Sequence, residues 1–148
     1  MNGEEFARYL LDKHDKKGQR FDDMQVQKLT YICHGFFLAG DIDLITETPR
    51  AWLYGPIYPT MAHWFAVNPA VIDSPPKCKP TIIDEIEKKG GIGVIDSVLA
   101  KFADWTGAKL SAWTHEPGSP WAHAMLKTGK LDSPLDLNRI KDYFRAMQ

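Results

Sequence analysis

Five histidines and two cysteines are the side chains most able to do chemistry, and their spacing decides what chemistry is open to them. Nucleophilic catalysis needs a Cys or Ser within reach of a His, and a third group to orient that base. Cys33 and His34 are neighbours in a helical stretch, so they point to different faces and cannot pair directly. No nucleophile elbow is present. His115, Glu116 and His123 are the best acid–base or metal candidates. The two histidines fall outside the i, i+4 spacing of a helical metal site, and no Cys cluster joins them. The expectation is therefore no catalytic residue, no metal ligand and no cofactor. His115 is expected to hydrogen-bond backbone beside a Trp113–Trp121 aromatic cluster. Gly90-Gly91-Ile92-Gly93 lacks the lysine and the preceding apolar strand of a phosphate loop, so it reads as a hinge or loop.

Bulk properties narrow the class further. A chain of 148 residues with 44% hydrophobic and 11% aromatic content suits one folded domain with a real core. The 18 basic and 19 acidic residues nearly cancel, to a net charge of −1, which gives no electrostatic reason to expect nucleic acid. Lys13, Lys16, Lys17 and Arg20 form a small basic cluster that reads as a solvated turn. Two cysteines are too few for a disulfide framework, and Cys33 on an apolar stripe reads as a buried thiol. No signal-like N-terminus and no apolar run of roughly 18 residues is found, so a cytoplasmic protein without a membrane partner is expected.

The elements that would position these residues are mainly helical. Residues 4–13 carry Phe6, Ala7, Leu10 and Leu11 at helical spacing. A stronger helix over 22–39 is capped by Asp22 or Asp23, carries Val26, Leu29, Cys33, Phe36 and Phe37 on one apolar face, and ends at Gly40. Alternation of Ile42, Leu44 and Thr46 with acidic residues suggests a strand. Its return partner would be Ala51–Tyr54, giving a small β-hairpin-like element at about residues 42–54, with Gly55-Pro56 as a turn. A helix from Pro59 stops at Asn68-Pro69, and the proline-rich 69–81 stretch reads as extended loop. Further helices are expected at 82–89, from Ile92, from the Thr106 cap to His115, from Ser119-Pro120 to about Lys127, and from Asp136. The fold class is thus mainly α, built around the central 22–39 helix.

Three pieces of sequence occur in order: Gln27-Lys28-Leu29-Thr30-Tyr31-Ile32-Cys33-His34-Gly35, then Ala51-Trp52-Leu53-Tyr54-Gly55-Pro56-Ile57, then Leu110-Ser111-Ala112-Trp113-Thr114-His115 with Pro120-Trp121. Together they resemble the Panacea domain family, the SocA-like and GepA-like antitoxins of bacteria and their phages, over roughly residues 4–146. The resemblance implies a helical fold with a small β element and an antitoxin role in a type II toxin–antitoxin system by direct protein binding. The implied partner is a cognate toxin, alarmone-synthetase-like in some systems. Some relatives act instead as adaptors that deliver the toxin to a protease. Many relatives carry an added N-terminal DNA-binding region; here the resemblance begins almost at Met1, so one Panacea-like domain over 1–148, without a DNA-binding domain, is expected. Lys28, Tyr31, Trp52, Tyr54, Gly55, Pro56, His115, Pro120 and Trp121 are the family-motif positions, with structural or toxin-contacting roles. The reading is a non-enzymatic antitoxin, with the protease adaptor as alternative and an enzyme using His115 as the least favoured class.

Overall fold

The helical periodicities resolve into eight α-helices and three short strands in the computed structural model, which describes residues 1–148. Their order is α1 (Gly3–Asp15), α2 (Asp23–Ala39), β1 (Arg50–Trp52), β2 (Gly55–Ile57), α3 (Pro59–Val67), a 3₁₀ turn (Pro69–Val71), α4 (Pro80–Lys88), α5 (Ile92–Phe102), α6 (Gly107–Thr114), α7 (Pro120–Thr128), β3 (Ser133–Pro134) and α8 (Leu137–Arg145). The fold is mainly α with a small antiparallel sheet of order β2-β1-β3.

Side chains that satisfy the free N–H groups of the first turn set the helix starts. Asn2 with Glu5, and Asp22 with Gln25, form reciprocal capping boxes on α1 and α2. Thr106, Ser119 and Asp136 cap α6, α7 and α8, and Pro120 occupies the first turn of α7, where its missing N–H costs nothing.

The central helix is buried on nearly every side, not along one stripe. Val26, Leu29, Ile32, Cys33 and Phe37 are fully buried, and so are Lys28 and Thr30 on other faces. Helices α1, α5, α6 and α8 surround α2, and β2 closes the remaining side. A helix that is buried all round belongs to a core rather than to a surface. The most extensive contact is with α8, whose Phe144 ring lies directly over Gly35 where any Cβ would stand. Phe144 also meets the rings of Tyr31, Phe36 and Trp113 edge-on.

As expected, α2 ends at Gly40, with an ordinary φ of −94°; the left-handed residue is Asp41 at φ 56°, a conformation Asp tolerates. The Asp41 carboxylate receives Lys141 at 2.6 Å and Arg145 at 3.4 Å from α8. The Lys141 hydrogen bond, with its charge, holds the Asp41 carboxyl below the ordinary carboxylate range. Residues 42–47 are not a strand, because their polar groups serve other elements. The Met1 ammonium donates to Leu44 O at 2.8 Å, and Thr46 N donates to Met1 O at 2.9 Å. Glu47 accepts from Gly3 N at 2.8 Å and from Thr60 N at 3.0 Å, so one carboxylate caps both α1 and α3. Leu44 and Ile45 are both buried, which breaks the alternation a strand requires. The hairpin therefore lies at 50–57, later than the 42–54 estimate, and Gly55-Pro56 lies in β2 and not in the turn.

Gly35→Ala should lower stability by about 1–3 kcal/mol, although Ala is the better helix former, because its methyl must displace the Phe144 ring. Urea unfolding measures this. Unchanged or increased stability would show that α8 adjusts freely and that the α2–α8 contact is loose.

Candidate functional site

The hairpin is held from three sides by donors aimed at its own carbonyls. β2 is an edge strand, and an edge leaves backbone groups that need partners. Consecutive residues of α2 supply them, one for β2 and one for Tyr58 immediately after it. Gln27 Nε2 donates to Tyr58 O at 3.3 Å, and Gln27 Oε1 accepts from Tyr58 N at 3.0 Å, so one side-chain amide pairs like a neighbouring strand. Lys28 Nζ donates to Pro56 O at 3.1 Å. Proline suits this edge because it has no N–H to leave unpaired. The Tyr58 hydroxyl is paired with His34 Nδ1 at 2.7 Å, and burial lowers the His34 pKa to about 4.

The reversal at Leu53-Tyr54 is fixed by helices α6 and α7. Trp121 Nε1 donates to Trp52 O at 2.8 Å, His115 Nε2 lies 2.9 Å from Leu53 O, and Ser111 Oγ donates to Tyr54 O at 2.6 Å. The other ring nitrogen of His115 lies 2.6 Å from Ser111 O. The His115 ring also sits 4.0 Å from that of Trp121. On the far side Asp132, at φ 66°, accepts from Trp52 Nε1 at 2.9 Å and from Arg50 Nε at 2.9 Å. Those two hydrogen bonds, the Trp52 one foremost, hold the Asp132 carboxyl below its ordinary range. The carbonyls of residues 52, 53, 54 and 56 each have a side-chain partner.

Gly55 makes the close approach possible. Its φ is +112°, which L side chains rarely adopt, and an added Cβ would collide with Thr114 Oγ1 and stand 3.0 Å from Lys28 Cε. Lys28 is fully buried, and burial pushes its amine down to about 7 against the opposing pull of Asp23. The tip beyond these anchors stays in solvent: Trp52 is 38% exposed, Leu53 59% and Tyr54 61%. A rigid base thus carries an exposed apolar tip.

Of the nine motif positions, Lys28, Trp52, Tyr54, Gly55, Pro56, His115 and Trp121 converge on the hairpin, and Pro120 starts the helix that carries Trp121. Tyr31 stands apart, buried edge-on against Phe144, with its hydroxyl pKa raised by burial. Trp113 does not join Trp121; it packs against Phe102 and Phe144. The physical reason is helical: Trp113 and His115 occupy different faces of the α6 end. Gln27 and Ser111 lie within the quoted motif pieces and Asp132 outside them, and none is marked by sequence as a hairpin contact, since a polar residue carries no signal of a partner about 30–80 positions away. The basic 13–20 turn is largely neutralised: Lys13 pairs with Asp96 at 3.2 Å, Lys16 with Asp12 at 3.8 Å and Arg20 with Asp15. Cys33 and Cys78 are both buried free thiols with pKa raised by burial. No group of three or more His, Cys, Asp and Glu side chains is arranged to hold a metal ion, and no helix is long and apolar enough to cross a membrane.

Residues 26–122 match the antitoxin SocA-like, Panacea domain, and that span contains the side chains that meet the carbonyls of residues 52, 53, 54 and 56. The chain belongs to this antitoxin-like family. No match is found among curated proteins or among solved structures.

Gly55→Ala should cost about 2–4 kcal/mol, from an unfavourable φ and the collision with Thr114. A chemical melt within about 0.5 kcal/mol of wild type would remove the close-approach argument. Lys28 gives a pH test. Its folded pKa lies below the ordinary 10.5, so the penalty for burying its charge is complete below about pH 7 and relieved as pH rises from about 7 towards 10.5. Wild type should gain stability relative to Lys28→Met over that window, by up to about 5 kcal/mol. A flat difference between the two curves would mean that the amine is solvated.

Proposed function

We propose that this chain is an antitoxin that neutralises a cognate protein toxin by binding it directly, with the tip of the 50–57 hairpin at the contact. Family membership supports the antitoxin role. The observation that carries the choice of face is the set of exposed Trp52, Leu53 and Tyr54 side chains on a backbone held by side-chain donors. Aromatic anchors presented on rigid backbone lose little entropy on binding and dominate interface energies. The motif residues Lys28, Gly55, Pro56, His115 and Trp121 then act by shaping the hairpin, and Trp52 and Tyr54 by touching the partner. No catalytic step on the toxin is part of this reading, and no nucleic acid or cofactor enters it.

The partner follows the family resemblance: a toxin made in the same cytoplasm, with alarmone-synthetase-like enzymes among the candidates. Delivery of the toxin to a protease is the second reading. It needs a second surface, and an apolar groove of about 410 Å³ lined by Phe36, Val94, Val98 and Phe102 is available for one.

Occlusion by binding requires one-to-one titration, because a stable interface of roughly 800 Å² per partner is occupied or free. Growth of cells making the candidate toxin, the product of the adjacent gene, should recover only when this chain is at least equimolar. Full protection by a substoichiometric amount, in cells lacking the relevant protease, would contradict simple binding.

A further inference from the structure

Beside Trp52 lies a slot of about 280 Å³, walled by Met24 on α2, Trp52 on β1, Ile57 on β2 and Phe65 on α3. That is below the roughly 300–1,000 Å³ of small-molecule sites and suits a single side chain. Asp23 is its one charged lining residue. Asp23 makes no salt bridge, and its only hydrogen bond is from the adjacent Met24 N at 2.8 Å. The other polar lining group, Gln27, has its amide engaged on both sides by Tyr58 backbone. The Trp52 indole is held by its N–H on Asp132, so its ring presents a fixed wall.

We infer that this slot receives an arginine side chain from the protein partner, with the guanidinium paired to the Asp23 carboxylate and stacked on Trp52. The inference rests on the antitoxin reading above and names the chemistry of that contact. A mainly apolar slot whose one carboxylate makes no salt bridge matches a side chain with an aliphatic stem and a cationic head. A flat guanidinium can pair with a carboxylate and lie on an indole together, which an ammonium does less well. The lone carboxylate disfavours an anionic occupant. On the other side of Trp52, the depression shared with Leu53 and Leu131 offers apolar contact next to the charged one. A central anchor beside apolar contacts is the arrangement that concentrates binding energy.

Two measurements test this. The first titrates the protein with N-acetyl-arginine amide and follows backbone and indole N–H resonances. Shifts should centre on Met24 and the Trp52 indole, weaken with N-acetyl-lysine amide, and vanish in Asp23→Asn but return in Asp23→Glu. No localised shift, equal shifts from N-acetyl-leucine amide, or an undiminished response in Asp23→Asn would each overturn the proposal. The second measures affinity for the candidate toxin. Asp23→Asn should weaken it by about tenfold or more, with Asp23→Glu restoring most of it. Toxin binding by wild type and Asp23→Asn alike overturns the arginine contact and leaves the antitoxin reading intact. Failure of wild type to bind or protect overturns that reading, and this inference with it.

Discussion

The structure depends on one unusual pairing: side chains of a buried helix take up free backbone groups of an edge strand and of the residue that follows it. Gln27 substitutes for the missing strand neighbour at Tyr58, and Lys28 reaches Pro56. An unpaired peptide group under cover costs about as much as a lost hydrogen bond, so these contacts fix where β2 lies against α2. Helices α6 and α7 then complete the enclosure through Ser111, His115 and Trp121. The hairpin has only three residues per strand, too short to stand alone in water, and the donors around it supply what its own ladder cannot.

The same arrangement sets the demands on α2. Its faces meet four helices and a strand, so most of it is apolar, and close packing with α8 leaves room for nothing larger than Gly35 under Phe144. Its one buried cation is tolerated because it does positional work. A buried amine with an opposing carboxylate nearby at Asp23 lowers stability near neutral pH, but it specifies a single seat for the hairpin. The resulting molecule concentrates rigidity at the base of the hairpin and leaves its apolar tip, with the Trp52 slot beside it, in solvent.

Much of this was legible in the sequence, for local reasons. Caps at Asp22, Thr106, Ser119 and Asp136 act within three residues, and helix starts were placed accordingly. The mainly helical class with a small β element follows from the same periodicities. The strand position was misjudged because Ile42, Leu44 and Thr46 alternate in type, while their burial is set by Met1 and Glu47 contacts that no local pattern records. Gly55-Pro56 resembles a turn dipeptide, yet Gly55 is demanded by Thr114 and Lys28, both distant in sequence. The ordered motifs named Lys28, His115 and Trp121, which the fold brings to neighbouring hairpin carbonyls. Which carbonyl each one serves became visible only once the fold had brought them to the hairpin.

Hydrogen exchange of this chain, free and saturated with its candidate toxin, tests the central claim most directly. Peptides covering residues 50–57 should gain the largest protection on binding, with α8 and its contact to α2 unchanged. Protection confined to other segments, with 50–57 exchanging as in the free protein, would contradict the assignment of the hairpin as the contact surface.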